Sequence, residues 1–511
     1  QAEDGIRDYY ASRVRGDVYK RQVDEDFTIP EGKPGMDYKI KDMGEVCIEK
    51  VRPMEDRVSI GMCLYFGLLY NSGGNCQSYY GKANFEETAA MAGVTGQDIV
   101  RCKANLMDMK ISVISSHKIS VRAVVLVTVS AEEIYDREVI KKIEMDNVRD
   151  ERLEVRMMKL IANRKDTFRI RESVNINQGM SNIGEIIWQE LRVKDLCFTP
   201  ADGRIDVKGN LSFFVIYQGE NGGELNYYDN VVPFSGSLDI SNGRQEDVYD
   251  INIVSCEKSL ISRNDGNGET RIFDGEIIMS LDICGYKNED VSLLTDIYAP
   301  GYEITPKTEK LEYERLVENK VVDIDINERI KNEDGGKIIY TCGDVIVDEI
   351  IQKDNKVDIE GTISVQIMME DKEAMPQITV SHHDIPFSYQ AGMDKYEKDS
   401  ELCGKVNNIS LYSKRISDKE ISVNGTIKME IMAKSTTTTP VVINADVEKV
   451  PKEKLKNIPG ITGYIVKEGD TLWNIAKRFY TTADSIMEAN NLENDMIYPG
   501  MKLIILKLYC F

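Results

Sequence analysis

Hydrophobic positions along this chain alternate at period two over long stretches, and only near the C-terminal end do they recur at three and four. In Arg57 to Tyr70, Val58, Ile60, Met62 and Leu64 alternate with Ser59, Gly61 and Cys63, the spacing that puts one face of a half-buried strand into a core. The same run occurs at Arg204 to Tyr217 and at Lys356 to Met369, and the central glycines Gly61, Gly209 and Gly361 stand 148 and 152 residues apart. An aromatic follows each glycine by 24, 25 or 26 residues, in Asn84-Phe85, Pro233-Phe234 and Pro386-Phe387. A second apolar run then closes each copy, at Ile119 to Val129, Ile272 to Ile283 and Ile421 to Ile431. Order, spacing and residue type agree across three copies, so the chain is built on a long internal repeat. A glycine inside a strand predicts a bulge or a close backbone approach. A Pro-Phe pair predicts a strand start, where proline costs no ladder bond.

Between these runs, the charge-rich stretch Ala131 to Arg171 fits either a connecting helix or a swapped strand. The glycine-rich Asn264 to Gly268 reads as a hairpin turn. After a Lys- and Pro-rich linker the pattern changes. Tyr464 to Val466 is a short strand, and Glu468-Gly469-Asp470 a turn. Leu472, Ile475, Ala476 and Phe479 then form one helical stripe capped by Asp470 or Thr471. Thr482 can cap a second helix with Ile486 and Ala489. Asn490-Asn491-Leu492 ends that helix in left-handed geometry, and Met501 to Leu506 is a closing strand. The fold class is therefore mostly β: three consecutive β-rich repeats followed by a small β-α-α-β unit.

Composition narrows the function. The 511 residues carry 64 Lys and Arg against 86 Asp and Glu, a net charge of −22. No basic stripe is present to displace counterions from nucleic acid or to hold an anionic membrane. No apolar run reaches the length of a membrane helix; the densest, Val121 to Val129, is broken by Arg122 and Thr128. The ten cysteines form no CxxC pair, which excludes zinc ribbons and redox motifs and reads as small buried hydrophobes in a reducing compartment. Three histidines, His117, His382 and His383, make no catalytic or metal motif; His382-His383-Asp384 reads as a polar surface turn. No nucleophile elbow, phosphate loop or HExxH occurs, so neither enzymatic activity nor a metal or cofactor is expected. Residues 1–22, from Gln1 to Gln22, differ in character from the rest of the chain and read as a non-native leader outside the fold.

The Gly32-Lys33-Pro34-Gly35 start, the glycine-centred strand, the Pro-Phe and the second strand together resemble the SPOCS domain of Firmicutes sporulation proteins of the SipL type. Copy one departs with Asn84-Phe85, and copies two and three lack the Lys-Pro. On this reading residues 23–167, 168–318 and 319–450 are three SPOCS-like repeats, 451–462 a linker and 463–507 a LysM domain. The last resemblance rests on Tyr464-Ile465-Val466, Gly469-Asp470-Thr471-Leu472-Trp473, Ile475-Ala476, Asn490-Asn491-Leu492 and Ile497-Tyr498-Pro499-Gly500-Met501-Lys502-Leu503. It implies a shallow groove for N-acetylglucosamine polymers between two loops. The site residues are then Gly469, Asp470, Thr471, Leu472, Asn491, Leu492 and Ile497. Read without it, Leu472, Trp473 and Ile497 are core of a very small domain. The whole arrangement resembles a spore-coat scaffold of the mother-cell cytoplasm, acting at the forespore surface, whose LysM binds the ATPase of the coat basement layer. The alternative is an exported cell-wall protein held to peptidoglycan by LysM.

Overall fold

A computed structural model describes residues 6–140, 147–332, 335–371, 377–395, 400–451 and 459–507, with Ile143, Met145, Glu397, Glu453 and Asn457 singly; side chains are described from residue 16 on, except 133–139. Three-quarters of the described residues are strand. The first repeat contains β1 (Ile6–Thr28), β2 (Tyr38–Met54), β3 (Arg57–Ser72), β4 (Asn75–Ala90), β5 (Ile99–Ser115) and β6 (Lys118–Val139). The second contains β7 (Arg149–Asn175), β8 (Ile183–Ala201), β9 (Arg204–Gly219), β10 (Leu225–Asp239), β11 (Val248–Asn264) and β12 (Thr270–Tyr298). The third contains β13 (Tyr302–Lys331), β14 (Lys337–Lys353), β15 (Lys356–Glu370), β16 (Ile378–Gly392), β17 (Glu401–Ser417) and β18 (Glu420–Lys449). Each repeat is a pair of three-stranded antiparallel sheets. The second, third and fourth strands form one sheet, and the first, sixth and fifth form the other.

The two runs of each repeat seen in the sequence are the central strands of its two sheets: β3 and β6, β9 and β12, β15 and β18. Their alternating buried residues meet in one core per repeat, such as Val58, Ile60 and Leu64 against Ile119, Val121 and Val125. Within the Ala131 to Arg171 stretch, residues 131–139 and 149–171 are strand. β6 continues to Val139, and β7 begins at Arg149 and pairs within its own repeat. The repeats therefore divide between β6 and β7 and between β12 and β13, and the limits expected at 168 and 319 fall inside β7 and β13. Most of the segment read as a leader outside the fold lies in a strand of the first repeat. β1 runs from Ile6 through residue 22 to Thr28 and pairs with β6 throughout. It escapes the sequence pattern because its described side chains up to Gln22 are mostly exposed and the core begins only at Val23.

Pro233 and Pro386 do not start strands. They lie in the middle of β10 and β16, opposite Asn210 and Thr362. Both are edge strands, where a missing N–H need cost no ladder bond. The predicted close approach is present in two copies: Phe234 lies opposite Gly209 and Phe387 opposite Gly361. A Cβ on Gly209 would come within 2.7 Å of the Phe234 ring, and one on Gly361 within 2.7 Å of the Phe387 ring. In the first copy the register differs by one, Phe85 faces Met62, and a Cβ on Gly61 would meet only Lys50, at 3.5 Å.

The sheets β2-β3-β4, β8-β9-β10 and β14-β15-β16 pack on one another at a shared junction. Each second strand carries a bulge there, and the bulged residues are three isoleucines, Ile40, Ile187 and Ile339, all buried in the same cluster. The next residue is different in every copy: Lys41, Trp188 and Tyr340. The Lys41 ammonium, 1% exposed, lies 3.0 Å from the Glu190 carboxylate, 2% exposed, and donates to Gln366 Oε1 at 2.8 Å. Trp188 Nε1 donates to Glu190 at 3.0 Å, and Arg192 bridges Glu190 and Asp344 at 3.3 and 3.2 Å. Phe214 stacks on Tyr340 at 3.9 Å. One buried charge cluster thus ties all three repeats together. Burial alone would raise the Glu190 pKa, but Lys41, Arg192 and the Trp188 hydrogen bond outweigh it and hold the carboxyl at about 2.

Candidate functional site

The C-terminal unit contains β19 (Ile461–Ile465), α1 (Leu472–Phe479), α2 (Ala483–Asn490) and β20 (Lys502–Leu506), with β19 and β20 paired antiparallel. Its helices are stabilised by local bonds. The Thr471 hydroxyl accepts from Asn474 N at 3.1 Å and the Thr482 hydroxyl from Ser485 N at 3.1 Å. Asn491 ends α2 in left-handed geometry at φ 52°. Val466, Leu472, Ile475, Ala476, Ile486, Leu503 and Ile505 form the core.

Of the two candidate caps for α1, Thr471 is the one used. Asp470 instead fixes the preceding turn: its carboxylate accepts from Lys467 N at 2.8 Å and from the Tyr464 hydroxyl at 2.7 Å. These two bonds hold the Asp470 carboxyl below the usual carboxylate range. Arg478 donates to the same Tyr464 oxygen at 2.9 Å, linking β19, the turn and α1. Gly469 sits at φ 83°, a conformation that favours glycine in this turn. Gly469, Thr471 and Asn491 are exposed, and Asp470, Leu492 and Ile497 are half-buried. Leu472 is 2% exposed; its side chain belongs to the core, so only its backbone can line a groove. Leu492 and Ile497, from the second loop, pack against that same core.

Three features were not visible in the sequence. Trp473 belongs to neither groove nor core alone. Its Nε1 donates to Asp296 at 2.8 Å, and its ring meets Tyr298 edge-on at 4.7 Å. Lys477 adds an ion pair to Asp296 at 2.6 Å, so the domain is docked on the end of β12. Asn490 donates to the Ile486 and Ile504 carbonyls and accepts from Ile504 N, all at 2.7 Å, clamping α2 to β20. Finally, the outer face of the β19–β20 pair exposes Ile461 at 69%, Ile465 at 59%, Ile504 and Leu506. Elsewhere, His382 and His383 lie within β16 and not in a turn, because that strand begins at Ile378. The nine described cysteines are free; Cys47, Cys63, Cys284 and Cys342 are buried, whereas Cys197 and Cys403 are exposed.

The family model "LysM domain" matches residues 464–506, the C-terminal unit. The model "SipL, SPOCS domain" matches residues 38–114 and 182–257, which are β2 to β5 of the first repeat and the corresponding β8 to β11 of the second. The chain carries SipL-type SPOCS domains and a LysM domain. The third repeat has their strand order and sheet pairing. Both matched domains are binding domains and not catalytic ones.

Among curated proteins, the chain is 48% identical over 44 residues to a "Probable N-acetylmuramidase" of Lactococcus lactis subsp. cremoris, covering 9% of this chain and 10% of that one. It is 56% identical over 39 residues to a "Probable endopeptidase p60" of Listeria monocytogenes, 8% of each chain. It is 51% identical over 37 residues to the "Uncharacterized protein YkzQ" of Bacillus subtilis, 7% of this chain and 49% of that one. The enzymes are similar only in the LysM region, and the alignment spans about a tenth of their length. No solved structure matches. Among the described residues, no helix is long and apolar enough to cross a membrane.

Proposed function

We propose that this chain is a non-enzymatic adaptor of endospore formation, whose LysM domain binds the spore-coat basement-layer ATPase and localises coat assembly around the forespore in the mother-cell cytoplasm. The observation that carries this reading is the exposed apolar face of the β19–β20 pair, beside groove loops left uncovered by the repeats. A protein partner needs apolar anchors ringed by polar groups, and Ile461, Ile465 and Ile504 supply them where Leu472 does not. A single LysM copy also lacks the avidity that tandem copies give on a polymer. The groove residues are then Gly469, Asp470, Thr471, Asn491, Leu492 and Ile497, with Leu472 contributing backbone.

A second reading is an exported protein that binds N-acetylglucosamine-containing peptidoglycan through the same loops. The similarity of this segment to an N-acetylmuramidase and to p60 favours it. One experiment separates the two. Full-length protein is used to capture partners from sporulating lysate and, in parallel, is sedimented with insoluble peptidoglycan. The adaptor reading expects recovery of the coat ATPase, lost in Asn491→Ala and Ile461→Asp variants, with little sedimentation. Strong sedimentation with no ATPase recovered would overturn it.

A further inference from the structure

A cavity of about 1410 Å³ opens where the three repeats meet. Its walls come from the second and fifth strands of every repeat: β2 and β5, β8 and β11, β14 and β17. The fifth strands carry bulges at corresponding places, and two of the bulged residues, Met107 and Asn407, line the cavity. Its floor is apolar and unsealed, with Met43, Leu106, Met109, Val347 and Ile409 each half-buried. Methionine adapts its shape and suits surfaces that accept a side-chain pattern from elsewhere.

The walls are acidic. Nine Asp and Glu line the cavity against four Lys and Arg; Glu190, Asp42, Glu45 and Asp344 are paired with Lys41, Lys39, Lys258 and Arg192, which leaves Asp108, Glu257, Asp348, Glu349 and Asp384 against Lys103 and Lys194. Asp108, Asp348 and Asp384 are exposed. A methionine floor under an acidic rim complements a segment with one apolar and one basic face. We propose that this cavity docks a basic amphipathic peptide segment of a partner protein, its apolar face on Met43 and Met109 and its Lys and Arg toward Asp108 and Asp348. The site is independent of the LysM domain and of what that domain binds.

The test uses the full-length protein and a fluorescein-labelled synthetic Leu/Lys amphipathic peptide, followed by fluorescence anisotropy. A Leu/Glu peptide of the same pattern serves as its counterpart. Saturable binding of the Leu/Lys peptide is expected, weakened about tenfold in the Asp108→Lys/Asp348→Lys variant. The variant Glu25→Lys/Glu86→Lys makes the same charge change on exposed positions outside the cavity and should bind as wild type, with circular dichroism confirming that both fold. An equal loss in the two variants, equal binding of the Leu/Glu peptide, or no saturable binding would overturn the proposal. So would a dimer of the chain that the Asp108→Lys/Asp348→Lys change dissociates, since a second copy would then fill the cavity.

Discussion

The LysM domain and the three-repeat body solve the same problem, closing a core, at opposite ranges along the chain. In the LysM domain the decisive bonds are short-range: Thr471 to Asn474, Thr482 to Ser485, Asp470 to Lys467. In the body the decisive polar bonds join residues from different repeats, as Lys41 joins Glu190 and Gln366. The difference teaches where a buried polar group is worth its desolvation. Capping bonds satisfy amides that any helix start leaves open. The buried cluster makes three similar repeats non-interchangeable, because Lys41, Trp188 and Tyr340 occupy one position: Lys41 and Trp188 bond Glu190, whereas Tyr340 stacks on Phe214.

The comparison can be broken most severely at the junction. Replacing Glu190 with Ala leaves Lys41 buried without its carboxylate and should cost about 3–5 kcal/mol, read as a fall in the denaturant midpoint of the body with the LysM helices intact. In the LysM core, Ile475→Ala should cost about 2–5 kcal/mol, enough to remove the helical signal while leaving the strand signal of the body. A strand signal that collapses along with the helices would show that the two regions fold as one.

Asp296→Ala removes the acceptor shared by Trp473 and Lys477. Because the site is part-exposed, the docking loss should be about 1–2 kcal/mol, seen as faster proteolysis between residues 451 and 460 with both regions folded. Thr471→Ala should cost about 1 kcal/mol, confined to the LysM melting transition.

Acid separates the regions in a further way. Glu190 has its folded pKa depressed to about 2, so its stabilisation is full above the ordinary carboxylate value of about 4.3 and is lost as pH falls toward 2. The wild-type body should lose stability over that window more steeply than the Glu190→Gln variant, in an unfolding series read by circular dichroism. Parallel slopes would remove Glu190 from the account.

Legibility in the sequence divides along the same line. The central strands β3, β9, β15, β6, β12 and β18 were readable because their buried residues keep period two without interruption. The second and fifth strands were not, since bulges at Ile40, Ile187, Ile339, Met107 and Asn407 shift the alternation midway. β1 stayed hidden because its side chains up to Gln22 are mostly exposed. In the LysM domain the caps and the apolar stripe, Leu472 included, were readable, whereas the docking role of Trp473 was not. Trp473 meets residues of β12 nearly two hundred positions away, and no local pattern announces such a contact.

The most direct test of the junction is a double-mutant cycle on Lys41→Met and Glu190→Met, with stability measured by denaturant unfolding at neutral pH. Glu190→Met leaves the Lys41 ammonium buried without a carboxylate and Lys41→Met leaves Glu190 to Arg192 and Trp188 alone, whereas the double change removes both buried charges. Two costly single variants and a double variant that recovers most of the loss are predicted, a coupling of at least about 2 kcal/mol. Two small costs that simply add would contradict the claim that this ion pair joins the repeats.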